Sequence, residues 1–263
     1  MNTRAFTGGQ PNRYLLATIS IGSVFLVWWL ITALHWIDPL FLPSPNQVWK
    51  KFLVIAQTGF MDATLWQHLA ASLQRMLLSV LAAIIVGIPV GIAMGLNPWI
   101  RGLIDPLVEL YRPIPPLAYL PLLVIWFGIG EATKILLIFL AILAPIIIAT
   151  TQGMLVSPGN RIRAVQSLGA SRWQIVRYVI LPAALPNILT GIRIGLGVGW
   201  STLVAAELIA AKQGLGLMVQ AAAQFLVTDV VILGIILIAL IALIIELALR
   251  YLQKELAPWY GHE

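Results

Sequence analysis

The sequence predicts an all-α integral membrane protein with six transmembrane helices. Of its 263 residues, 60% are hydrophobic and only 10% are charged, whereas a soluble domain is about 25% charged. Apolar stretches recur at membrane-spanning length, since roughly 20 apolar residues let a helix cross the hydrocarbon core. The net charge of +6 is dispersed between these stretches and is not gathered on one soluble face, so we predict a lipid bilayer, and no nucleic acid, as the surrounding partner.

Six apolar windows are the predicted spans. They cover 14–34, 69–96, 106–128, 133–153, 187–210 and 229–251. Arg4 and Arg13 precede the first window, as they would in a secretory signal, but no small-residue cleavage site follows. We therefore expect an uncleaved first span.

The third window is the least regular. Its proline run RPIPPLAYLP, residues 112–121, removes amide donors and crowds preceding carbonyls, which prevents a regular helix over its length. Irregular backbone at membrane depth is tolerated where it is buried in protein or lines a water-filled cavity. This window is predicted either to line a pathway or to be a kinked packing helix.

Two segments outside the spans are predicted to be short helices on the outer side. In 40–66, prolines interrupt the chain and apolar residues then recur at helical spacing, which predicts a helix lying on the membrane surface. The recurring residues are Val48, Phe52 and Ile55. Residues 214–229 are apolar but too few to cross before the sixth span, so this segment is predicted to be re-entrant or interfacial.

Basic residues predict the orientation, because Lys and Arg are enriched in cytoplasmic loops. With the N-terminus inside, nine basic residues fall on the inner side and four on the outer side. The inner set is Arg4, Arg13, Arg101, Arg161, Arg163, Arg172, Arg177, Arg250 and Lys254, and the outer set is Lys50, Lys51, Lys134 and Lys212. Residues 1–13 and 252–263 are therefore predicted to be cytoplasmic.

Ionisable residues inside spans are expected to be paired, because leaving them in lipid costs a few kcal/mol. By depth along the helices, Arg75 and Glu207 are predicted to pair near the outer side. Arg193 and Glu109 are predicted to pair near the inner side, with Arg112 as a competitor for Glu109.

A third pair, Glu246 with Arg250, follows from their i, i+4 spacing on the sixth span. Two interpretations of the intramembrane charges stay open, structural ion pairs and contact with a solute. Trp200 in the fifth span joins them as a pathway candidate. The same span carries Gly191, Gly195, Gly197 and Gly199, which permit close helix approach.

Some kinds of chemistry are not expected. The chain has no cysteine, and His35, His68 and His262 are scattered, so no metal site is predicted. We find no cluster of nucleophile, base or metal ligands, and hence predict no catalytic residue. No G-x-x-x-x-G-K-[ST] loop is present to cradle nucleotide phosphates.

The stretch IRAVQSLGASRWQIVRYVILPAALP, residues 162–186, interrupts the apolar sequence with arginines. Ser157 and Pro158 end the fourth span before it, so the stretch lies on the positive side. Gly169 breaks a first amphipathic helix, and Ser171 is placed to cap a second. Two short helices at an angle would suit docking; the alternative is an interfacial helix whose arginines meet anionic lipid.

This stretch resembles the cytoplasmic signature loop of permease subunits of ATP-binding-cassette importers. That loop reads Glu-Ala-Ala, three residues, Gly, nine residues, Ile, one residue, Leu-Pro. Ala164, Gly169 and the Leu181–Pro182 pair match at the same spacing. Arg163, Val165 and Val179 depart from the pattern, and Arg163 reverses a charge.

The resemblance implies a type I importer core over 65–250, with a coupling loop at 157–182 that docks into a groove on the ATPase. The implied coupling residues are Arg161, Arg163, Ala164, Ser167, Leu168, Gly169, Ala170, Arg172, Leu181 and Pro182. It also implies a bacterial inner-membrane permease dimer, two cytoplasmic ATPase subunits that bind ATP and Mg²⁺, and a periplasmic solute-binding protein. This chain itself would bind no cofactor.

Other stretches resemble one branch of that family, the permeases for nitrate, bicarbonate, alkanesulfonates and taurine. LPSPNQVW and RPIPPLAYLPLLVIWFGIGE are typical of the branch, while FMDATLWQHLAASLQR and GWSTLVAAELIAAKQGLG look most like taurine permeases. The resemblance therefore implies import of a small sulfonate by alternating access, with taurine first and alkanesulfonate, nitrate or bicarbonate as alternatives. A secondary transporter is the remote alternative, although the repeats and midplane ion ligands usual in that class are not found.

Overall fold

The computed structural model describes residues 13–156, 159–209 and 211–258. All regular elements in these ranges are helical, and one isolated bridge joins Phe60 to Ala63. The helices are α1 (Arg13–Ala33), α2 (Pro45–Thr58), α3 (Leu65–Leu96), α4 (Pro98–Tyr111), α5 (Pro116–Phe127), α6 (Glu131–Leu155), α7 (Gly159–Ser167), α8 (Arg172–Ile175), α9 (Leu181–Leu208), α10 (Leu215–Gln224) and α11 (Thr228–Leu256), with a π-helical turn at Val176–Ile180 between α8 and α9.

Four helical stretches in the described ranges are long and apolar enough to cross a membrane. They are Leu65–Leu96, Glu131–Leu155, Arg172–Leu208 and Thr228–Leu256. A fifth is added if α4 and α5 together form one bent span, and α1 carries a shorter apolar segment, Thr18–Ala33. The all-α prediction is confirmed. Of the six predicted spans, four or five correspond to helices of the described ranges that are long and apolar enough to cross a membrane.

The core of the molecule is the packing of α3, α6 and α9, with α6 in contact with both of the others. Side chains from all three helices form the largest buried apolar cluster, which includes Met76, Ile142 and Leu203. The glycines on α9 face α6 at every fourth residue: a Cβ added at Gly191 would lie 2.5 Å from the Cβ of Ala149. Small residues at this spacing let helix backbones approach closely in a membrane.

The proline run interrupts the helix in the predicted third span, 106–128, as the sequence indicated. The chain forms α4 and α5, whose axes are bent by 99°. Pro113 and Pro115 lie in the break, since a proline cannot donate to the preceding turn and disfavours helix in the residue before it. The interruption is shorter than predicted, because Pro116 begins α5 and Pro121 lies within it.

Polar caps extend the helices beyond their apolar windows. Thr64 caps α3 with a capping box to Gln67, so the helix begins at Leu65, four residues before the predicted start at 69. Likewise Ser44 and Gln47 form a capping box on α2, which has Pro45 in its first turn. These caps satisfy amide donors that the apolar pattern does not register.

A second buried cluster joins α2, α10 and α11. Val48 and Ile55 of α2 are 5% and 2% exposed, and they pack in one cluster with Leu215 and Met218 of α10. Lys51 of α2 also makes a 3.3 Å ion pair with Asp229 of α11. The face predicted for α2 is therefore buried against protein.

Candidate functional site

Arg75 lies near the start of α3 and is only 4% exposed. Its Nε and Nη2 donate to the two carboxylate oxygens of Glu131 at 2.6 and 2.9 Å. Its Nη1 donates to Glu207 Oε1 and to the Gln213 carbonyl, both at 2.7 Å. The structure thus brings Arg75 and Glu207 together, and every guanidinium nitrogen has a partner, as a buried arginine requires.

Glu207 is fully buried near the end of α9. Its Oε1 also accepts the Ser72 hydroxyl proton at 2.7 Å, and its Oε2 accepts the N–H of Gly216 at 2.8 Å. Gly216 lies in the first turn of α10, where unpaired amides and the helix dipole favour a carboxylate. This carboxylate therefore ties α3, α9 and α10 together.

The loop before α10 is built around the same carboxylate. Gly214 has a φ of +146°, and a Cβ there would lie 2.5 Å from Glu207 Oε2. His68 is 2% exposed; its Nδ1 lies 3.0 Å from the carbonyl oxygen and 3.1 Å from the backbone nitrogen of Gly214, and its Nε2 lies 3.2 Å from the Phe60 carbonyl. His68 therefore connects this loop to the turn before α3.

Glu131 and Lys134 complete the charge cluster of Arg75 and Glu207, and sequence reasoning missed their part in it. Lys134 is 4% exposed and donates to Glu131 Oε1 at 2.9 Å. Both residues lie in the first turn of α6, just outside or at the edge of the apolar window predicted to begin at 133. The available signal was their i, i+3 spacing after the Gly128–Gly130 turn.

On the other half of α9, the predicted pair of Arg193 with Glu109 is wrong. Arg193 Nη2 forms an ion pair with Glu246 of α11, and its Nη1 donates to the Gln253 side chain at 3.1 Å. Arg250 shares Glu246 at 2.8 Å, which is the predicted i, i+4 pair. The bend between α4 and α5 removes the geometry that had placed Glu109 beside α9; Glu109 is exposed on α4.

A cavity of about 380 Å³ lies at the bend between α4 and α5. Arg112, Tyr111 and Tyr119 line it from the bend, and residues of α6 and α9 close the other walls. The hydroxyl of Tyr111 donates to the Leu140 carbonyl, and the two tyrosine hydroxyls are 3.2 Å apart. The irregular third span therefore lines a cavity, and its place in a transport pathway stays a prediction.

Trp200 is placed away from that cavity. It is 7% exposed in the main core cluster, and its Nε1 has no hydrogen-bond partner in the described ranges. It lines a cleft of about 370 Å³ between α9 and α11, together with Arg193 and Glu246. Of the predicted pathway candidates, Arg75 and Glu207 thus share one charge cluster, Arg193 and Trp200 share this cleft, and Arg112 lines the cavity at the bend.

The arginine-rich stretch forms a helix, a turn and a second helix. The implied coupling residues Arg161 to Ser167 lie on α7, and the turn contains Leu168, which is 86% exposed. Gly169 has a φ of +84°, a conformation that L side chains rarely adopt. Ser171 caps α8 through a capping box with Gln174, as its position had indicated. Ser157 and Pro158, predicted to end the fourth span, lie outside the described residues.

The second helix of this stretch is not short, as predicted, but continues into the membrane-spanning helix. Arg172–Leu208 forms one run of 37 residues, so the helix begins well before the predicted start of the fifth span at 187. Leu181 donates its N–H to the Val176 carbonyl, five residues back, and Pro182 follows directly. The wide π turn gives room for the proline ring, which would otherwise crowd the carbonyl four residues before it.

Several apolar and aromatic side chains of the arginine-rich stretch, 162–186, are exposed. Besides Leu168, Trp173 and Tyr178 are 67% and 69% exposed. The guanidinium of Arg177 lies 5.8 Å from the centre of the Tyr178 ring. Apolar and aromatic groups presented beside arginines are typical of surfaces that bind another protein.

In the ranges that the structure describes, no group of three or more histidine, aspartate or glutamate side chains is placed to hold a metal ion.

Comparison with known proteins gives a consistent result. The family described as "binding-protein-dependent transport system inner membrane component" matches residues 83–258. The chain is 64% identical over 248 residues to the taurine transport system permease protein TauC of Escherichia coli strain K12, which covers 93% of this chain and 90% of the relative. It is 40% identical to the putative aliphatic sulfonates transport permease protein SsuC of the same organism, over 90% of this chain and 88% of the relative.

The fold is also similar to a solved structure, an inward-facing conformation of the MetNI methionine ABC transporter. The TM-score is 0.65 at 21% identity, and the match covers 75% of this chain and 99% of that chain. At this identity the likeness supports the arrangement of helices alone.

Proposed function

Because the chain belongs to the family of binding-protein-dependent transport system inner membrane components, we propose that it is the permease subunit that carries taurine through the membrane in an ATP-driven importer. The observation that carries the choice of taurine is the 64% identity to TauC over 93% of this chain. The permease subunit is not the enzyme of such a machine. ATP and Mg²⁺ are bound and ATP is hydrolysed on a separate ATPase subunit.

Six spans in a bacterial inner membrane complete the proposal. The 21-residue α1 would rise about 32 Å, which is enough for a hydrocarbon core of about 30 Å. The 12-residue α5 would rise only about 18 Å, so it needs α4 to complete the third span. The excess of basic residues on one side supports cytoplasmic termini.

The proposed partners are a second copy of this chain, two ATPase subunits and a periplasmic solute-binding protein. The exposed turn between α7 and α8 is the proposed ATPase contact, since Leu168 and Trp173 are presented there without an apolar cover in the described ranges. Arg163, exposed on α7 where the family pattern has glutamate, is proposed to meet an acidic or polar group of the ATPase. Alternating access then requires that the ATPase bind one permease conformation more tightly than the other.

Aliphatic sulfonates are the second candidate substrates, favoured by the 40% identity to SsuC. They share the sulfonate group with taurine but lack its ammonium group in their simplest members. Nitrate and bicarbonate remain the further alternatives that the sequence resemblance raised. A secondary transporter, the remaining alternative from the sequence, would be driven by an ion gradient and not by ATP. A transport experiment therefore distinguishes it from the proposed importer.

The test is to express the chain with its ATPase and binding protein, purify the complex, and measure uptake into proteoliposomes. We expect taurine uptake that requires ATP and the binding protein, and ATPase activity that rises with taurine-loaded binding protein. Competition by alkanesulfonates and nitrate ranks the substrates. Taurine uptake by this chain alone, driven by an ion gradient, would overturn the proposal.

A further inference from the structure

The cavity at the bend between α4 and α5 has the chemistry of a small-molecule site. Its volume of about 380 Å³ lies within the range of roughly 300–1,000 Å³ that ligand pockets occupy. Most of its walls are apolar, with Ala141 and Ala144 of α6 leaving the space open. A few polar groups converge on it from the bend, which is the usual composition of such pockets.

Arg112 is the sole charged residue that lines this cavity in the described ranges. No carboxylate of those ranges lies within 4.0 Å of its guanidinium, unlike Arg75, Arg193 and Arg250. Arginine stays protonated, and its planar fork of N–H groups matches oxyanions. The cavity therefore carries one positive charge that the described protein does not neutralise, which favours an anionic group.

The tyrosine pair provides an oxygen atom that can accept a hydrogen bond from a cationic group. Tyr111 spends its one hydroxyl proton on the Leu140 carbonyl, so Tyr119 donates to Tyr111 across the 3.2 Å contact. The Tyr119 oxygen is then left with lone pairs to accept. Nearby, Pro145 has no N–H to give to the carbonyl of Ala141, four residues earlier, and both residues line the cavity. These oxygens suit a cationic donor.

We propose that this cavity is a subsite of the transport pathway for a small zwitterion with a sulfonate and an ammonium group. Arg112 binds the sulfonate, and the Tyr119 oxygen and the Ala141 carbonyl accept from the ammonium. The inference rests on the proposed import of taurine and adds where the solute is held. Because no carboxylate of the described ranges lines the cavity, neutral oxygens hold the ammonium, which suits a site that must also release its solute.

The absence of cysteine in this chain allows a direct test. Gln152 lines the cavity from α6 and is exposed, so Gln152→Cys places one thiol in the wall. The purified complex is treated with sulfonatoethyl methanethiosulfonate, an anion, and with its trimethylammonioethyl counterpart, a cation. We expect taurine to slow both reactions. We also expect Arg112→Gln to lower the ratio of anionic to cationic labelling about five- to tenfold, while Arg112→Lys keeps it.

Arg101→Gln is the matched control, because it removes a positive charge from α4, the helix that Arg112 follows directly, and Arg101 does not line the cavity. The ratio should not change in that variant. Absence of protection by taurine, or a ratio unchanged by Arg112→Gln, would overturn the subsite. Taurine uptake without protection refutes the subsite alone, whereas protection without ATP-driven uptake refutes the proposed importer and leaves the cavity as a binding site for the zwitterion.

Discussion

The guanidinium of Arg75 lies 2.7 Å from the carboxylate of Glu207, although 132 residues separate them in the chain. The pair is shared: Arg75 also binds Glu131, and Glu207 also accepts from Ser72 and Gly216. Each side chain therefore serves three helices at once. One hydrogen-bonded cluster therefore connects α3, α6, α9 and α10.

Removing one member of this cluster should be costly. Arg75→Ala leaves Glu207 buried without its cation, and breaking a buried pair typically costs about 3–5 kcal/mol. Arg250→Ala is the control, since that side chain is 61% exposed and such pairs contribute about 1 kcal/mol or less. Thermal unfolding of the purified complex measures the difference. Equal shifts in Tm for the two variants would contradict the burial argument.

Exchanging the two charges should not rescue the protein. In Arg75→Glu with Glu207→Arg, the new carboxylate would lie beside Glu131, and the new guanidinium would face the N–H of Gly216 and the first turn of α10. We expect the double variant to be as impaired in uptake and stability as either single variant. Restoration of wild-type uptake would show that the pair acts in isolation.

Gly169 should be needed for its backbone conformation rather than for space. Its φ is +84°, and an added Cβ would meet nothing within 4 Å. Gly169→Val should therefore strain the turn by about 1–2 kcal/mol and reduce transport coupled to ATP hydrolysis. Gly169→Asn, which tolerates this conformation better, should retain more coupling. The ratio of taurine imported to ATP hydrolysed is the measurement, and equal ratios in the two variants would refute the assignment.

Two glycines on α9 should respond oppositely to the same change. Gly191→Ala places a methyl group 2.5 Å from Ala149 and should destabilise the helix packing by about 1–3 kcal/mol. Gly197→Ala meets nothing within 4 Å and should be neutral or stabilising by up to about 1 kcal/mol, because alanine favours helix. Unfolding of the two variants under the same conditions gives the comparison. A stable Gly191→Ala protein would contradict the close contact with α6.

The stabilities of two further variants test which carboxylate pairs with Arg193. Glu246→Gln should lower stability, since Glu246 binds both Arg193 and Arg250. Glu109→Gln should change it by less than about 0.5 kcal/mol, as is usual for an exposed residue without such contacts. A larger effect at Glu109 would favour the pair that the sequence had indicated.

The apolar windows predicted most helices because burial in lipid imposes a length that can be counted. They failed at helix ends, where Thr64 and Gln67 extend α3 by polar capping. They failed also at the bend, because a proline run shows that a helix is interrupted but not by what angle the chain turns. Helix ends and bend angles depend on hydrogen bonding and local geometry, which hydropathy does not describe.

In the candidate site, too, the sequence predicted some pairings correctly and others wrongly. Arg75 and Glu207 were matched correctly in depth, since both lie near the same end of long regular helices. Arg193 was matched wrongly, because Glu246 already had a partner at i, i+4 and its second contact depends on how α9 and α11 pack. The roles of His68 and Glu131 depend on loops that fold back over α3, which one sequence does not reveal.

The run Arg172–Leu208 has a mechanical consequence. Its 37 residues would measure about 55 Å, longer than a bilayer of about 40–45 Å including its headgroups. The exposed Trp173 stands at one end of this rod and the buried Glu207 at the other. A displacement of the Trp173 end would therefore be carried along one continuous helical run to the Glu207 end. The π turn at Val176–Ile180 is an irregular part of that run, where such a displacement would be passed on or absorbed.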